Sequence, residues 1–167
     1  RRAIEGPASV PHAGVLMIEN VWIPLLGLRA PREDPNCVVH ARIVQCPLIS
    51  AAYLAEMVMG KTIRCELQRF PDDNRNWGTC GELDPATGVL VDGPDSINRT
   101  MVRSGWAMAD QNYTQMYGAI EEEAQGDRIG VWTHLFMEDP VLWGTLGPVN
   151  ETNDANTVEA RETRIRL

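Results

Sequence analysis

The chain has 167 residues, a length that suits one globular domain with a short extension. Its formal net charge at pH 7 is −8, so the chain as a whole repels nucleic acid and anionic membranes. No apolar run approaches the roughly 20 residues of a membrane-spanning helix, so no transmembrane segment is predicted.

The N-terminal part predicts three short strands, at residues 3–9, 15–18 and 21–28, joined by turns. The third strand contains Pro24 and leads into the turn Arg29-Ala30-Pro31-Arg32. A proline inside a strand removes a ladder hydrogen bond, so it is confined to edges, ends or bulges. The third strand is therefore unusual, and its end needs an explanation.

The middle of the chain predicts one helix and a second group of strands. Residues 29–46 read as irregular, and a helix is predicted to begin at Pro47 and to end at Gly60. Its buried stripe is expected at Leu48, Ala51, Ala52, Ala55 and Val58. The following segments are a strand, a polar turn region, a strand, a turn and a strand, at residues 61–67, 69–78, 79–83, 84–88 and 89–91.

Two more helices are predicted before residue 131. The first covers residues 95–105, is capped by Asp95 or Ser96, and turns Ile97, Met101 and Val102 inward. The second covers residues 114–130. Its expected buried side chains are Met116, Ala119, Ile120 and Ala124. We interpret the acidic run 121–123 in it as a solvated helix face and not as a metal site.

The order of elements is three strands, a helix, two to three strands and two helices. Short strands at this spacing, with a helix after the third, suit a five-stranded Greek-key barrel of the OB type. The predicted fold class is therefore α+β, mainly β, with three helices.

Four cysteines, Cys37, Cys46, Cys65 and Cys80, allow three disulfide connectivities. None of their spacings is a C-x2-C or C-x4-C pair, which argues against zinc. Separate buried thiols in a cytosolic protein are the simple alternative. We favour two local disulfides and an oxidising compartment.

Four segments in this order resemble the staphylococcal nuclease (thermonuclease-like) family over residues 3 to about 133. They are the sequences "LLGLRAP", "LAEMVMGKTIRCEL", "MVRSGWAMA" and "YGAIEEEAQGDRIGVW". The resemblance implies an OB barrel with three helices. It divides the chain into a nuclease-like domain, residues 1–135, and a C-terminal extension, residues 136–167.

Active members of this family hydrolyse nucleic-acid phosphodiesters. Two aspartates hold Ca²⁺, one on the first strand and one after the third, a glutamate activates water, and two arginines bind the phosphate. This combination supplies a hard cation, a positioned water and a cationic clamp.

All five family positions are substituted in this chain. Carried over one by one, they fall at Pro7, Pro24, Arg29, Arg32 and Trp77. An arginine at a calcium position also brings a like charge to the place of the cation. The stretch after Pro24 is therefore interpreted as the scaffold of a nuclease site without its chemistry, and we expect no metal and no catalytic residue.

The alternative is a Ca²⁺-dependent nuclease with a displaced site. Nearby charged residues that a shifted register would need are Glu5, Glu33, Asp34, Asp72, Asp73 and Arg75. Strand alternation opposes this alternative, because a shift of one residue turns a side chain to the other face.

Secreted bacterial members of the family carry cysteines at similar places, and by that resemblance we pair Cys37 with Cys46 and Cys65 with Cys80. Each pair would close a short loop, worth on the order of 2–4 kcal/mol. The resemblance thus favours a periplasmic, envelope or secreted bacterial protein. The chain begins at Arg1-Arg2 without a visible signal peptide, so we expect a trimmed start and leave an upstream anchor open.

A protein partner is expected in place of a nucleic acid. Residues 136–167 carry six acids and three arginines, net −3, which leaves −5 for residues 1–135, so neither part offers a basic field. Trp22 and Trp77 beside the old cleft, and Trp143 in the extension, are the expected interaction surface. A non-cleaving nucleic-acid binder is the second alternative.

Overall fold

The computed structural model describes residues 2–31, 37–39 and 42–132, and of residues 37–39 and 42–44 it describes the backbone alone. The predicted domain end at residue 135, the extension 136–167 and Trp143 lie outside the described residues. Everything below concerns the described part of the chain.

The chain forms eleven strands and three helices in this part. The strands are β1 (Arg2–Gly6), β2 (Ser9–His12), β3 (Val15–Ile18), β4 (Val21–Pro24), β5 (Leu28–Arg29), β6 (Cys37–Val39), β7 (Arg42–Val44), β8 (Thr62–Phe70), β9 (Asp73–Asp84), β10 (Val89–Val91) and β11 (Met108–Ala109). The helices are α1 (Cys46–Val58), α2 (Ser96–Arg103) and α3 (Gly118–Asp127), and a short 3-10 turn (Gly130–Trp132) follows.

Two antiparallel sheets form a curled half-barrel. One has the strand order β1-β8-β9-β10, and the other has the order β2-β3-β4. The chain passes from the first sheet to the second between β1 and β2, and the bridge between Leu25 and Gly78 connects the end of β4 to β9. With its three helices this α+β architecture is compatible with an OB-like fold.

A close crossing fixes how the two sheets meet. A Cβ atom on Gly78 would lie 2.2 Å from Cγ2 of Ile23, so only glycine lets β9 pass β4 at this distance. The buried side chains around the crossing come from both sheets and two helices. Among the most buried are Leu16, Ile18, Ile23, Leu25, Leu54, Ile63, Met101 and Val102.

Several predictions for the strands are confirmed, and others are corrected. Strands occur at residues 15–18 and 89–91, and α2 turns Ile97, Met101 and Val102 inward as predicted. The predicted strand 3–9 is instead two strands that break at Pro7-Ala8, because proline ends the ladder. The predicted strand 21–28 ends at Pro24, the last residue of an edge strand, and resumes as β5.

Two segments predicted as loops contain strands. Residues 29–46, expected to be irregular, contain the antiparallel hairpin β6–β7. Residues 69–78, expected to be a polar turn region, form the tip of the long β8–β9 hairpin, whose turn is only Pro71-Asp72. Trp77 therefore lies on a strand and not in a turn.

The buried faces of two helices differ from the prediction. The buried residues of α1 are Cys46, Pro47, Ser50, Leu54 and Val58, whereas the predicted Leu48 is 63% exposed. Helix α3 begins later than predicted, at Gly118, and Met116 before it is 59% exposed. Tyr117 takes the buried position instead, while Ala119 faces solvent and Ala124 is buried as predicted.

Candidate functional site

The turn after β4 is held by backbone contacts from two directions. The Leu25 amide donates to the Gly14 carbonyl at 2.9 Å, and the Leu26 amide donates to the Gly78 carbonyl at 2.8 Å. A Cβ atom on Gly14 would lie 2.8 Å from Cβ of Ala30, so the β2–β3 turn packs tightly against the segment after β5. This junction is where the family resemblance locates the nuclease site.

Asn98, on α2, stabilises the same junction through hydrogen bonds of its side chain. Its Nδ2 donates to the carbonyls of Leu26 (2.9 Å) and Gly78 (3.0 Å), and its Oδ1 accepts from the Cys80 amide (2.9 Å). The side chain is fully buried. Asn98 was not among the predicted site residues, although its position one turn before Met101 on the inward face of α2 was an available signal.

The structure does not bring Pro7 to this junction. Gly6 lies beside Ile18, at the far end of β3, since a Cβ on Gly6 would be 3.3 Å from Cγ2 of Ile18. The junction is at the other end of β3, where the turn before Val15 meets Leu25 and Ala30. Gly14, in the turn between β2 and β3, therefore lies at the junction, and it has no side chain that could bind a metal.

Arg29, which the resemblance assigns to the second metal position, is a cation with an acidic neighbour. It pairs with Met108 in the β5–β11 ladder, and its buried Nε makes no hydrogen bond within the described part of the chain. Glu121 lies nearby, and its Oε2 accepts from the Ala109 amide at 2.7 Å. Burial raises the pKa of Glu121, while the Ala109 amide and the charge of Arg29 act in the opposite direction.

The resemblance assigns three more residues to the nuclease site, namely Pro24, Arg32 and Trp77. Pro24 is half-buried at the end of β4, opposite Val15. Arg32 lies outside the described residues. Trp77 is 9% exposed, so other side chains of this chain cover it, and its assignment to an interaction surface stays a prediction.

Trp77 is covered by a cluster of charged and aromatic side chains at the hairpin tip. The guanidinium of Arg75 lies 4.5 Å from its ring centroid, and the ring of Tyr113 meets it edge-on at 5.6 Å. Tyr113 in turn stacks on Phe70, with the ring centroids 3.9 Å apart. Tyr113 comes from the loop before α3, so a distant segment completes the tip.

Asp73 is the electrostatic centre of this cluster. Its carboxylate accepts from Nη2 of Arg75 at 2.6 Å, from Nε1 of Trp77 at 3.0 Å and from the Tyr113 hydroxyl at 3.4 Å. The hydrogen bonds from Arg75 hold the pKa of Asp73 well below its ordinary value of 3.8. The same pair raises the pKa of Arg75, so both groups stay charged.

The displaced-site residues are not assembled into a metal centre within the described ranges. Glu5 is ion-paired to Arg64, and Asp73 is ion-paired to Arg75. Asp72 lies beside Asp73 in an open pocket of about 750 Å³ at the hairpin tip. Glu33 and Asp34 lie outside the described residues. In the ranges that the structure covers, no group of three or more His, Cys, Asp or Glu residues is arranged to hold a metal ion.

The outer face of the β3–β4 hairpin is apolar, whereas the neighbouring strand β2 adds the exposed polar residues Ser9 and His12 to the same face. Trp22 on β4 pairs with Met17 on β3, and Pro24 pairs with Val15, so these four side chains share one face. Trp22 is 51% exposed and contacts the ring of His12 at 5.2 Å. Of the three predicted surface tryptophans, Trp22 is exposed, Trp77 is buried and Trp143 is not described.

One disulfide is described in full. Cys65 and Cys80, opposite each other on β8 and β9, are joined, as the resemblance implied. Cys46 is also disulfide-bonded, but the side chain of Cys37, its expected partner, lies outside the described residues. Within the described part, no cysteine is a free thiol.

Comparisons with known proteins supply no family. No family model matches the chain, and no curated protein matches it significantly. Among the helices in the described ranges, none has both the length and the apolar character to cross a membrane.

Proposed function

We propose that the chain is a staphylococcal nuclease-like, five-stranded Greek-key OB barrel that has lost catalysis and serves as a protein-interaction module. The observation that carries this proposal is that both described carboxylates best placed for a displaced site, Glu5 and Asp73, are already bound to arginines. A carboxylate held by a guanidinium is a poor ligand for a divalent cation, because the arginine charge repels the ion.

The surroundings of Arg29 support the loss of the metal site. A calcium ion needs several oxygen ligands, and this position offers a guanidinium, with Gly14 across the junction in place of a carboxylate. Glu121, the nearby acid, is engaged by the Ala109 amide. The site therefore lacks both the charge and the ligands that phosphodiester hydrolysis by this family requires.

The outer face around Trp22 supports a role in protein binding. Antiparallel sheets usually expose polar residues on their solvent face. Here only β2 does so, with Ser9 and His12, whereas β3 and β4 present Val15, Met17, Trp22 and Pro24. Exposed aromatic and methionine side chains are enriched at protein interfaces. The net charge of −8 disfavours a polyanion as the partner. The Cys65–Cys80 disulfide fits our proposal of a secreted or envelope setting.

The loss of catalysis is tested with purified, oxidised protein in millimolar Ca²⁺. We expect no cleavage of single-stranded DNA or RNA above a buffer control. Cleavage that is lost in Asp73→Asn or Glu33→Gln would establish the displaced site and overturn the proposal.

The interaction face is tested by site-specific photo-crosslinking in the cells that produce the chain. A crosslinking residue at Trp22 should capture one discrete protein species, while the same residue at Leu48, an exposed apolar position on α1, should not. Equal capture at both positions, or capture of nucleic acid at Trp22, would contradict the assignment of this face.

A further inference from the structure

Two arginines at the β8–β9 hairpin tip share one neutral acceptor. Nη2 of Arg2 donates to Oδ1 of Asn76 at 2.7 Å, and Nε of Arg69 donates to the same oxygen at 3.2 Å. Arg2 pairs with Leu67 across β1 and β8, and Arg69 lies two residues further along β8, so both reach the same side of the sheet. All three side chains of this triad, Arg2, Arg69 and Asn76, take part in exposed hydrogen bonds.

The triad has an unbalanced charge. Arg64, Arg75, Arg99 and Arg103 each form an ion pair with an acidic side chain. Neither Arg2 nor Arg69 does so within the described part of the chain. Each guanidinium has five N–H donors, and a single amide oxygen satisfies one from each. Two like charges therefore converge on an uncharged acceptor in a protein whose net charge is negative.

An apolar platform lies directly beside the triad. Arg69 and the stacked rings of Phe70 and Tyr113 line the open pocket at the hairpin tip. Asp72 and the ion pair of Asp73 with Arg75 line the same pocket. Tyr113 is 41% exposed, and Met116 in the same loop is 59% exposed. A cation pair next to exposed aromatic and methionine side chains has the composition of a protein interface.

We propose that this surface binds an Asp or Glu side chain of a partner protein, flanked by an apolar side chain that packs on Phe70 and Tyr113. The carboxylate would bridge Arg2 and Arg69, because its two oxygens fit guanidinium forks as charge-assisted hydrogen bonds. The chain has a net charge of −8 and therefore repels a polyanion more strongly than it repels a single carboxylate. A single carboxylate is for this reason the favoured ligand. This inference rests on the proposed role as an interaction module and adds the chemistry of its partner.

The first test needs no partner. Asn76→Asp introduces a carboxyl group where the two guanidiniums meet, and we expect its pKa to lie at least about one unit below the ordinary aspartate value. The pKa is read by NMR titration of the side-chain carboxyl. Adding Arg2→Gln and Arg69→Gln to this variant should return the pKa to the ordinary value. An introduced carboxyl that titrates normally with both arginines present overturns the proposal.

The second test uses a matched pair of blocked peptides, Ac-Gly-Phe-Glu-Phe-Gly-NH2 and its Gln analogue. The Nε–Hε resonances of Arg2 and Arg69 should shift saturably with the Glu peptide, and the Gln peptide should bind at least about tenfold more weakly. Arg2→Gln/Arg69→Gln and Asn76→Asp should each lose the binding. Arg103→Gln, which removes two ion pairs between α2 and α3, should keep the binding.

The outcomes separate this inference from the proposed function. Equal binding of both peptides, or tighter binding of an oligothymidylate at the same resonances, overturns the carboxylate site and leaves the loss of catalysis standing. Calcium-dependent nuclease activity overturns the proposed function without changing the pKa of the carboxyl introduced by Asn76→Asp.

Discussion

Asn98 is the side chain whose removal should most damage the junction after β4. Asn98→Ala deletes three buried hydrogen bonds, to Leu26, Gly78 and Cys80. The Gly78 carbonyl keeps its bond from the Leu26 amide, so the Leu26 carbonyl and the Cys80 amide are the groups that lose most. A buried polar group without a partner costs about 1–3 kcal/mol, so we expect a total loss of roughly 2–5 kcal/mol.

The assay is urea unfolding followed by tryptophan fluorescence, with the disulfides intact. With a slope of about 2 kcal/mol per molar urea, the midpoint should fall by roughly 1–2.5 M. Asn112→Ala is the matched control. Like Asn98, Asn112 begins an Asn-x-Thr triplet, but it is exposed, and its backbone amide donates to Oδ1 of Asp110. The control should change the unfolding free energy by no more than about 0.5 kcal/mol.

A charged variant sharpens the same argument. In Asn98→Asp an oxygen replaces the amide that donates to two carbonyls, so the ionised form should be at least as unstable as the alanine variant. Protonation of the new carboxyl restores one donor for the carbonyls of Leu26 and Gly78. The pKa of this carboxyl is therefore higher in the folded than in the unfolded state. The variant should therefore gain stability as the pH falls towards the ordinary aspartate pKa. A cost below about 1 kcal/mol for Asn98→Ala would refute the reasoning.

Three further predictions concern stability. Replacing Cys65 and Cys80 with alanine removes a crosslink over 15 residues, and the urea midpoint should report a loss of about 3 kcal/mol; an unchanged midpoint would contradict the loop-closure account. Burial raises the pKa of Tyr117, so stability should fall as the pH rises above the ordinary tyrosine value, and Tyr117→Phe should remove that fall in alkaline urea titrations. Hydrogen bonds lower the pKa of Asp73, so the wild type should lose stability as the pH falls below 3.8, whereas Asp73→Asn should show a flatter acid limb.

Local patterns predicted the elements whose two faces differ clearly. Helix α2 alternates buried Ile97, Met101 and Val102 with charged residues, so its inward face was readable from the sequence. Helix α1 was predicted with the wrong face because nearly all its residues are apolar or small, and the periodicity therefore has little contrast. Ser50 can occupy the inside because its hydroxyl donates to the Trp106 carbonyl at 2.8 Å, a contact 56 residues away that no local pattern contains.

The hairpin tip was also difficult to predict from local sequence patterns. Its polar composition is typical of a turn, yet β9 begins at Asp73 because the ladder with β8 continues to that residue. Trp77 is buried, and one of the side chains that cover it is Tyr113, which belongs to the loop before α3. Exposure of Trp22 was predictable, since strand alternation turns it away from Ile23.

The site positions were harder to predict, because a family motif assigns residues to places in space only if the register is right. Pro7 was assigned to the junction from its position on the first strand, but the bend at Pro7-Ala8 divides that strand between two sheets. The structure places the turn at Gly14 there instead. Both residues lack a carboxylate, so the correction changes the position but leaves the proposed loss of catalysis intact.

The contacts at the junction also bear on the proposed loss of catalysis. The contacts that hold the turn after β4 are the backbone bonds of Leu25 and Leu26 and the side chain of Asn98, and none of them uses a catalytic position. Catalytic sites gather like charges that cost stability when no ligand balances them. At Arg29 the substitution instead sets a guanidinium near Glu121, whose charges attract. Under the proposed loss of catalysis this change carries no penalty for the scaffold, and Trp22 and the hairpin tip are the surfaces that we propose for a partner.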